Sequence, residues 1–221
     1  VNLTIRISAP YPEVLRVQTW HHMGLRERAP QFQLAPLHQG LLQVEQTEEK
    51  IVARSGSLRV EVCRNDGSFT FYRGEEKLTG SQHRDLAYMK TDWKGDAYNR
   101  GPEDAYMRQQ LSLGVGELIY GLGERFGPFV KNGQSVDIWN EDGGTSTEQS
   151  YKNIPFYLSN RGYGVFVNHP EKVSFEIASE MVTRVGFSVP GEHLDYFLIN
   201  GPTMKDVLVR YTDITGKPGL P

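Results

Sequence analysis

The stretch Trp139-Asn-Glu-Asp-Gly-Gly-Thr-Ser-Thr147 gathers an indole, a carboxamide, two adjacent carboxylates and two glycines into nine residues. These types suit contact with a polar ligand. Trp139 offers a flat apolar face of the kind on which sugar rings stack, and Asn140, Glu141 and Asp142 offer groups that bind hydroxyls. Gly143 and Gly144 let the backbone turn tightly or approach a ligand closely. An ordinary polar turn between strands is the competing reading, since Asp-Gly-Gly favours that too. Glu141 and Asp142 do not make a glycosidase pair, because two such carboxyls must flank a sugar bond from opposite sides, about 5 to 9 Å apart. One of them touching substrate is compatible with the spacing, and the two alone hydrolysing it is not.

Other constellations are weaker. The run from Gly114 to Gly127 is glycine-rich, but Gly121, Gly123 and Gly127 miss the dinucleotide fingerprint by one position, and no helix pattern follows. Bulges or close backbone crossings explain those glycines better. Glu124 and Arg125, adjacent in a strand-like segment, point to opposite faces and are read as structural, either across a sheet or beneath the Trp139 loop. The six histidines are His21, His22, His38, His83, His169 and His193, and no pair has the i, i+4 spacing of a metalloprotease. His21 and His22 follow a strand pattern and are expected to face solvent. His169 ends a strand just before Pro170 and is read as a capping donor rather than a ligand contact. No Gly-x-Ser-x-Gly elbow is present to start a catalytic triad.

These residues must be positioned by strands. Period-2 alternation recurs at Leu58/Val60/Val62, Phe69/Phe71, Val173/Phe175/Ile177 and Phe197/Ile199, each predicting a strand with one buried face. Turn chemistry separates them at Arg64-Asn-Asp-Gly67, Tyr72-Arg-Gly-Glu75, Lys131-Asn-Gly133, Ser159-Asn-Arg-Gly162 and Pro190-Gly191. Such punctuation predicts an all-β fold, a large antiparallel β-sandwich. Residues 91–104 lack periodicity and are expected to form a long surface loop. One helix is predicted after Thr203, with Asp206 at N3, an apolar stripe of Met204, Val207, Leu208 and Tyr211, and a stop at Gly216. The expected division is a sandwich over 1–200 and a helix with connector over 201–221.

Composition narrows the partners. With 24 Lys+Arg against 27 Asp+Glu, a net charge of -3 and scattered basic residues, no electrostatic footprint for nucleic acid exists. No apolar run approaches the ~18 residues that span a bilayer, so no membrane partner is expected. The single cysteine, Cys63, excludes a disulfide framework and points to a reducing, cytoplasmic compartment; it is read as a structural thiol. The sequon at Asn2-Leu3-Thr4 is taken as accidental. Beginning at Val1 inside a strand pattern, the chain reads as a piece of something longer.

Five ordered motifs carry a resemblance: Tyr120-Gly-Leu-Gly-Glu-Arg125, Trp139-Asn-Glu-Asp-Gly-Gly-Thr145, Tyr151-Lys-Asn-Ile-Pro-Phe156, Gly162-Tyr-Gly-Val-Phe-Val-Asn-His-Pro170 and Gly201-Pro-Thr203. Their order and spacing resemble the N-terminal domain of glycoside hydrolase family 31, above all its bacterial α-xylosidase branch. The likeness is strong from about Leu111 onward and weaker, though collinear, before it. It implies a galactose-mutarotase-like sandwich packed on a (β/α)8 barrel, in a retaining α-glycosidase for α-xylosides or α-glucosides, whose two catalytic aspartates lie on the barrel. By the same resemblance no catalytic residue, metal or cofactor belongs to this chain. Asp142 is expected to bind sugar on the leaving-group side, with Trp139, Asn140 and, as the weaker carry-over, Glu141 beside it. The sandwich face meant for the barrel is expected to be exposed, as an apolar patch that favours self-association into a homo-oligomer. Two rival readings are an autonomous carbohydrate-binding module and a mutarotase-like epimerase using His169 with a glutamate.

Overall fold

The computed structural model describes residues 2–24, 30–38, 41–91, 104–140, 150–217 and 219. Strands β1 (Thr4–Tyr11) and β2 (Val14–Trp20) open the chain as a hairpin. A meander follows: β3 (Gln43–Gln46), β4 (Lys50–Ser55), β5 (Leu58–Cys63), β6 (Phe69–Arg73) and β7 (Glu76–Ser81). Next come β8 (Leu86–Thr91), β9 (Asp104–Ser112), β10 (Ile119–Gly121) and β11 (Gln134–Ile138). The chain closes with β12 (Phe156–Ser159), β13 (Tyr163–Val167), β14 (Val173–Ile177), β15 (Arg184–Pro190), β16 (His193–Asn200) and helix α1 (Met204–Thr215).

Every described pairing between these strands is antiparallel, in three sheets: β1-β2-β16-β13-β12-β10, β11-β14-β15-β9-β8 and β3-β4-β5-β6-β7. The predicted turns at Gly67, Gly74 and Gly162 join paired strands, whereas those at Gly133 and Gly191 carry the chain from one sheet to another; all five glycines adopt the positive φ that such turns need. All three sheets turn apolar side chains into one interior, where Leu15, Tyr196, Phe175, Phe187, Val60 and Phe71 meet. That shared interior makes the molecule a β-sandwich. Residues 92–103, where the sequence predicted a surface loop, lie outside the described residues. Among the described residues no helix is long and apolar enough to cross a membrane.

The expectation of one buried face per strand is wrong for the middle of the six-stranded sheet. Leu194, Tyr196 and Leu198 of β16 face the sandwich interior, while Phe197 and Ile199 lie beneath α1 with Phe156, Phe166, Val207 and Ile214. A sheet covered on both sides needs apolar residues at consecutive positions, which erases the period-2 signal. Helix α1 begins as predicted. The Thr203 hydroxyl accepts from the Asp206 N–H and Asp206 Oδ2 accepts from the Thr203 N–H, a reciprocal cap. Its buried stripe differs, because Val207, Tyr211 and Ile214 pack on the sheet whereas Met204, Leu208 and Val209 remain exposed.

Charged side chains stitch the sheets together. Glu13, at φ 61 in the β1–β2 turn, accepts from Ser57 N–H, Ser57 hydroxyl and Asn200 Nδ2, so one carboxylate joins the first hairpin, the meander and β16. Burial raises its pKa, but the bonds from Ser57 and Asn200 outweigh that and hold it below the usual value. Arg73 donates to the carbonyls of Arg161, Gly162 and Gly201, anchoring β6 to the β12–β13 turn and to the start of the helix. These contacts explain the fixed relation between sandwich and helix.

Candidate functional site

Strand β11 ends at Ile138, and Trp139 and Asn140 leave the sheet together. Asn140 meets Ser150 in an isolated parallel bridge, which brings the two ends of the intervening segment side by side. Glu141 and Asp142 lie outside the described residues, as do Gly143, Gly144 and residues 145–149. Of the four binding residues expected from the sequence, the structure therefore places Trp139 and Asn140. Trp139 is 50% exposed, which leaves apolar surface of the indole accessible to a ligand.

Asn153 closes the neck. Its side-chain Nδ2 donates to Trp139 O at 2.8 Å, Asn140 Oδ1 at 3.0 Å and Ser150 O at 2.7 Å, and its backbone N–H donates to Asn140 Oδ1 at 3.0 Å. Two lone pairs of Asn140 Oδ1 are thus spent on the chain itself. For that side chain, ligand contact falls to the amide nitrogen. Arg125 sits behind Asn153, donating through Nη2 to Asn153 Oδ1 and to Asp137 O, and through Nε to Leu122 O at 3.2 Å. With its oxygen held by a guanidinium, the Asn153 amide cannot flip, because flipping would aim N–H at N–H.

The motif Tyr120-Gly-Leu-Gly-Glu-Arg125 supplies the platform for this arrangement. Gly121, Leu122 and Gly123 have φ values of 102, 65 and 88, three left-handed residues in a row. For Leu122, fully buried, that conformation costs about 1–2 kcal/mol. It is retained because the chain passes directly under residues 152–154: a Cβ on Gly123 would lie 2.0 Å from Lys152 O and 3.0 Å from Asn153 Cα. The glycines therefore mark a close backbone crossing, as their sequence context suggested. Glu124 and Arg125 lie past the end of β10 and not on a strand as expected, but their side chains do part: the Glu124 carboxylate meets the exposed Lys152 ammonium at 3.1 Å, while Arg125 reaches Asn153 and the Asp137 carbonyl.

The charges around the neck have physical partners. Burial raises the Asp137 pKa, but Lys172 at 2.6 Å and Ser174 at 2.6 Å more than offset this and hold the carboxyl below its usual value. Burial, helped by the Arg125 charge, pushes the Lys131 ammonium down; it donates to Pro128 O at 2.7 Å. Exposed aromatic side chains stand in the same stretch of sequence at Phe126, Phe129 and Tyr151.

A second polar cluster was not legible beforehand. The Glu117 side chain is wholly buried, and it accepts from Ser159 Oγ at 2.6 Å, Tyr163 OH at 2.6 Å and Gly114 N–H at 2.7 Å. Burial and the neighbouring Glu117 charge push the Tyr163 hydroxyl well above its ordinary pKa, which keeps it a donor. The histidines divide. His21, expected in solvent, instead stacks on Tyr88 at 3.8 Å and pairs with Glu192 at 3.0 Å, because β8 and β16 meet the end of β2 there. His169 lies two residues past the end of β13, not at the strand end itself, and its Nε2 is enclosed with no hydrogen-bond partner; burial lowers its pKa. A proton-transfer base must reach its substrate, so this placement argues against the epimerase reading. Among the described residues no cluster of His, Cys, Asp and Glu is arranged to hold a metal.

A cleft of about 500 Å³ lies between α1 and residues 35–38, lined by Tyr11, His38, Arg210 and Asp213. Its main polar groups are occupied: Tyr11 donates to Ala35 O and Arg210 to Asn200 O. It is a seam between elements and contains none of the binding residues expected from the sequence.

Residues 4–176 match the model of the glycosyl hydrolase 31 N-terminal galactose mutarotase-like domain. The chain belongs to glycoside hydrolase family 31. Family 31 relatives include an α-xylosidase of Emericella nidulans, 45% identical across 99% of this chain and 30% of its own length. The α-xylosidase XylQ of Lactiplantibacillus pentosus is also 45% identical, across 99% of this chain and 27% of its own length. The chain thus spans under a third of these relatives, at the N-terminal domain of the family. Its fold superposes on the family 31 dextranase of Flavobacterium johnsoniae, complexed with glucose, with a TM-score of 0.85 at 21% identity over 100% of this chain and 26% of that one. A family 31 α-xylosidase from a soil metagenome, complexed with xylose, gives a TM-score of 0.75 at 19% identity over 98% of this chain and 33% of that one. At those identities the likeness speaks for the fold.

Proposed function

We propose that this chain is the non-catalytic sandwich domain of an α-xylosidase, that it packs on a (β/α)8 catalytic barrel, and that the Trp139 loop completes the sugar pocket. The observation carrying this reading is the neck: a half-exposed Trp139 whose backbone carbonyl is held by Asn153, itself held by Arg125, inside a family 31 domain. A shared pocket explains why so much hydrogen bonding is spent on holding Trp139 and Asn140 at one place on the surface. Identity of 45% to two α-xylosidases, against 26% to an α-glucosidase of Bacillus thermoamyloliquefaciens, favours α-xylosides as substrate class. Met204, Leu208 and Val209, exposed on α1, give an apolar face that suits packing against a further domain.

In the intact protein, Asp142→Asn is expected to lower kcat/KM on a xylosyl-glucose disaccharide by about tenfold or more, chiefly through KM, as loss of a hydroxyl-binding group does. Turnover of an aryl α-xyloside, whose leaving group offers no sugar hydroxyls, is expected to fall much less. Equal loss on both substrates, or no loss on either, would remove Asp142 from the leaving-group side.

A further inference from the structure

Two candidates stand outside the reading above, the cleft beside α1 and the stacked His21–Tyr88–Glu192 group, and a third, the neck at Trp139, deepens it. The first two have their polar groups engaged by the fold and show no ligand geometry. The neck carries further, because one side chain, Asn153, holds the Trp139 carbonyl, the Asn140 side chain and the Ser150 carbonyl together.

We propose that Asn153, locked by Arg125, is a positioning residue for sugar recognition, fixing the indole of Trp139 and the amide of Asn140 in the orientation a sugar ring meets. This rests on the proposed role of the Trp139 loop in the pocket. Asn153 itself points its amide into the neck and reaches both ends of the segment at 2.7–3.0 Å. Trp139 O is one of its acceptors, so the bond fixes the peptide plane from which the indole departs. Arg125 joins the same group to Asp137 O in β11, and so ties the presentation of Trp139 to the sheet. Gly123 permits the crossing by which residues 152–154 come within reach. The arrangement is a chain of supports: a strained turn at Gly121–Gly123, a guanidinium, an amide, then the ligand-facing residues. A binding group displaced by even about 1 Å can lose up to about a hundredfold in efficiency, so supports of this kind decide recognition without touching the ligand.

The test uses the intact protein with two substrates, a xylosyl-glucose disaccharide and an aryl α-xyloside, and three variants. Trp139→Ala reports on the loop itself, and Asn153→Ala and Arg125→Lys report on the support. The expected result is that Asn153→Ala raises KM for the disaccharide about tenfold more than for the aryl substrate, with kcat on each changed in parallel. Arg125→Lys, which keeps the charge and loses the fork, is expected to give the same pattern in smaller degree. A merely structural role would lower both substrates alike and track the melting temperature, and that outcome overturns the proposal. If Asn153→Ala does not fold, the disaccharide-to-aryl KM ratio of Arg125→Lys decides in its place. A selective loss in Trp139→Ala without one in the support variants removes the positioning role alone. No selective loss in Trp139→Ala removes the pocket reading, and the positioning role with it.

Discussion

Two polar clusters lie within the same fifty residues of chain and have opposite characters. Glu117, with a wholly buried side chain, gathers the buried Ser159 and Tyr163 hydroxyls and the Gly114 N–H, whereas Asn153 gathers exposed Trp139 and Asn140 together with Ser150 and Arg125 at a partly exposed site. Each is a single side chain that binds several segments, so hydrogen-bond number does not distinguish them. Burial does. Enclosed, the Glu117 knot has nothing to present and its hydrogen bonds are worth most. Open to water, the Asn153 clamp adds less to stability, but a half-exposed indole hangs from it. A dense polar cluster therefore marks function only where an exposed binding group depends on its geometry.

The comparison breaks most readily at Glu117. Glu117→Ala leaves the Tyr163 and Ser159 hydroxyls and the Gly114 N–H without their acceptor, and urea unfolding is expected to show a loss of about 4 kcal/mol. A loss below about 1 kcal/mol would mean that the knot is not a structural centre. Gly123→Ala comes next, at about 3 kcal/mol, because an alanine there combines a disfavoured positive φ with a clash against Lys152 O. Asn153→Ala should cost only about 1 kcal/mol, consistent with its partial exposure. If Asn153→Ala proved as destabilising as Glu117→Ala, the two clusters would share one role.

The smallest effects concern charge and surface. Asp137 is held below its ordinary pKa in the folded chain, so the stability it contributes is fully present above the unfolded value near 3.8 and is lost as pH falls from there through the lowered folded value. Asp137→Asn should flatten that part of the acid unfolding curve and leave the neutral region nearly unchanged. Leu208→Glu, at a position 42% exposed, should alter stability by less than about 0.5 kcal/mol, read from urea unfolding.

The sequence made much of the outer fold legible, since hairpin turns and alternating strands announce themselves locally. It concealed the double burial of β13 and β16, because a strand covered on both faces has no alternation to detect. The Trp139 stretch stood out by residue type alone. Asn153 did not, although it lies in a motif that carried the family resemblance, because an isolated asparagine before Ile-Pro has the composition of any turn. Its role exists only when β11, the Gly121–Gly123 crossing and residue 150 are brought together in space. Glu117 was missed for the converse reason: Gly-Glu in a glycine-rich run suggests an exposed turn, and nothing local says that two hydroxyls and an N–H will close over it.

The central claim is that this domain contributes contacts and no catalysis. Purified residues 1–221 incubated with an aryl α-xyloside test it directly, by release of the aryl alcohol above the uncatalysed rate. No release is expected, because a retaining hydrolysis needs two carboxyls set across the glycosidic bond. Measurable turnover that Asp142→Asn abolishes would contradict it.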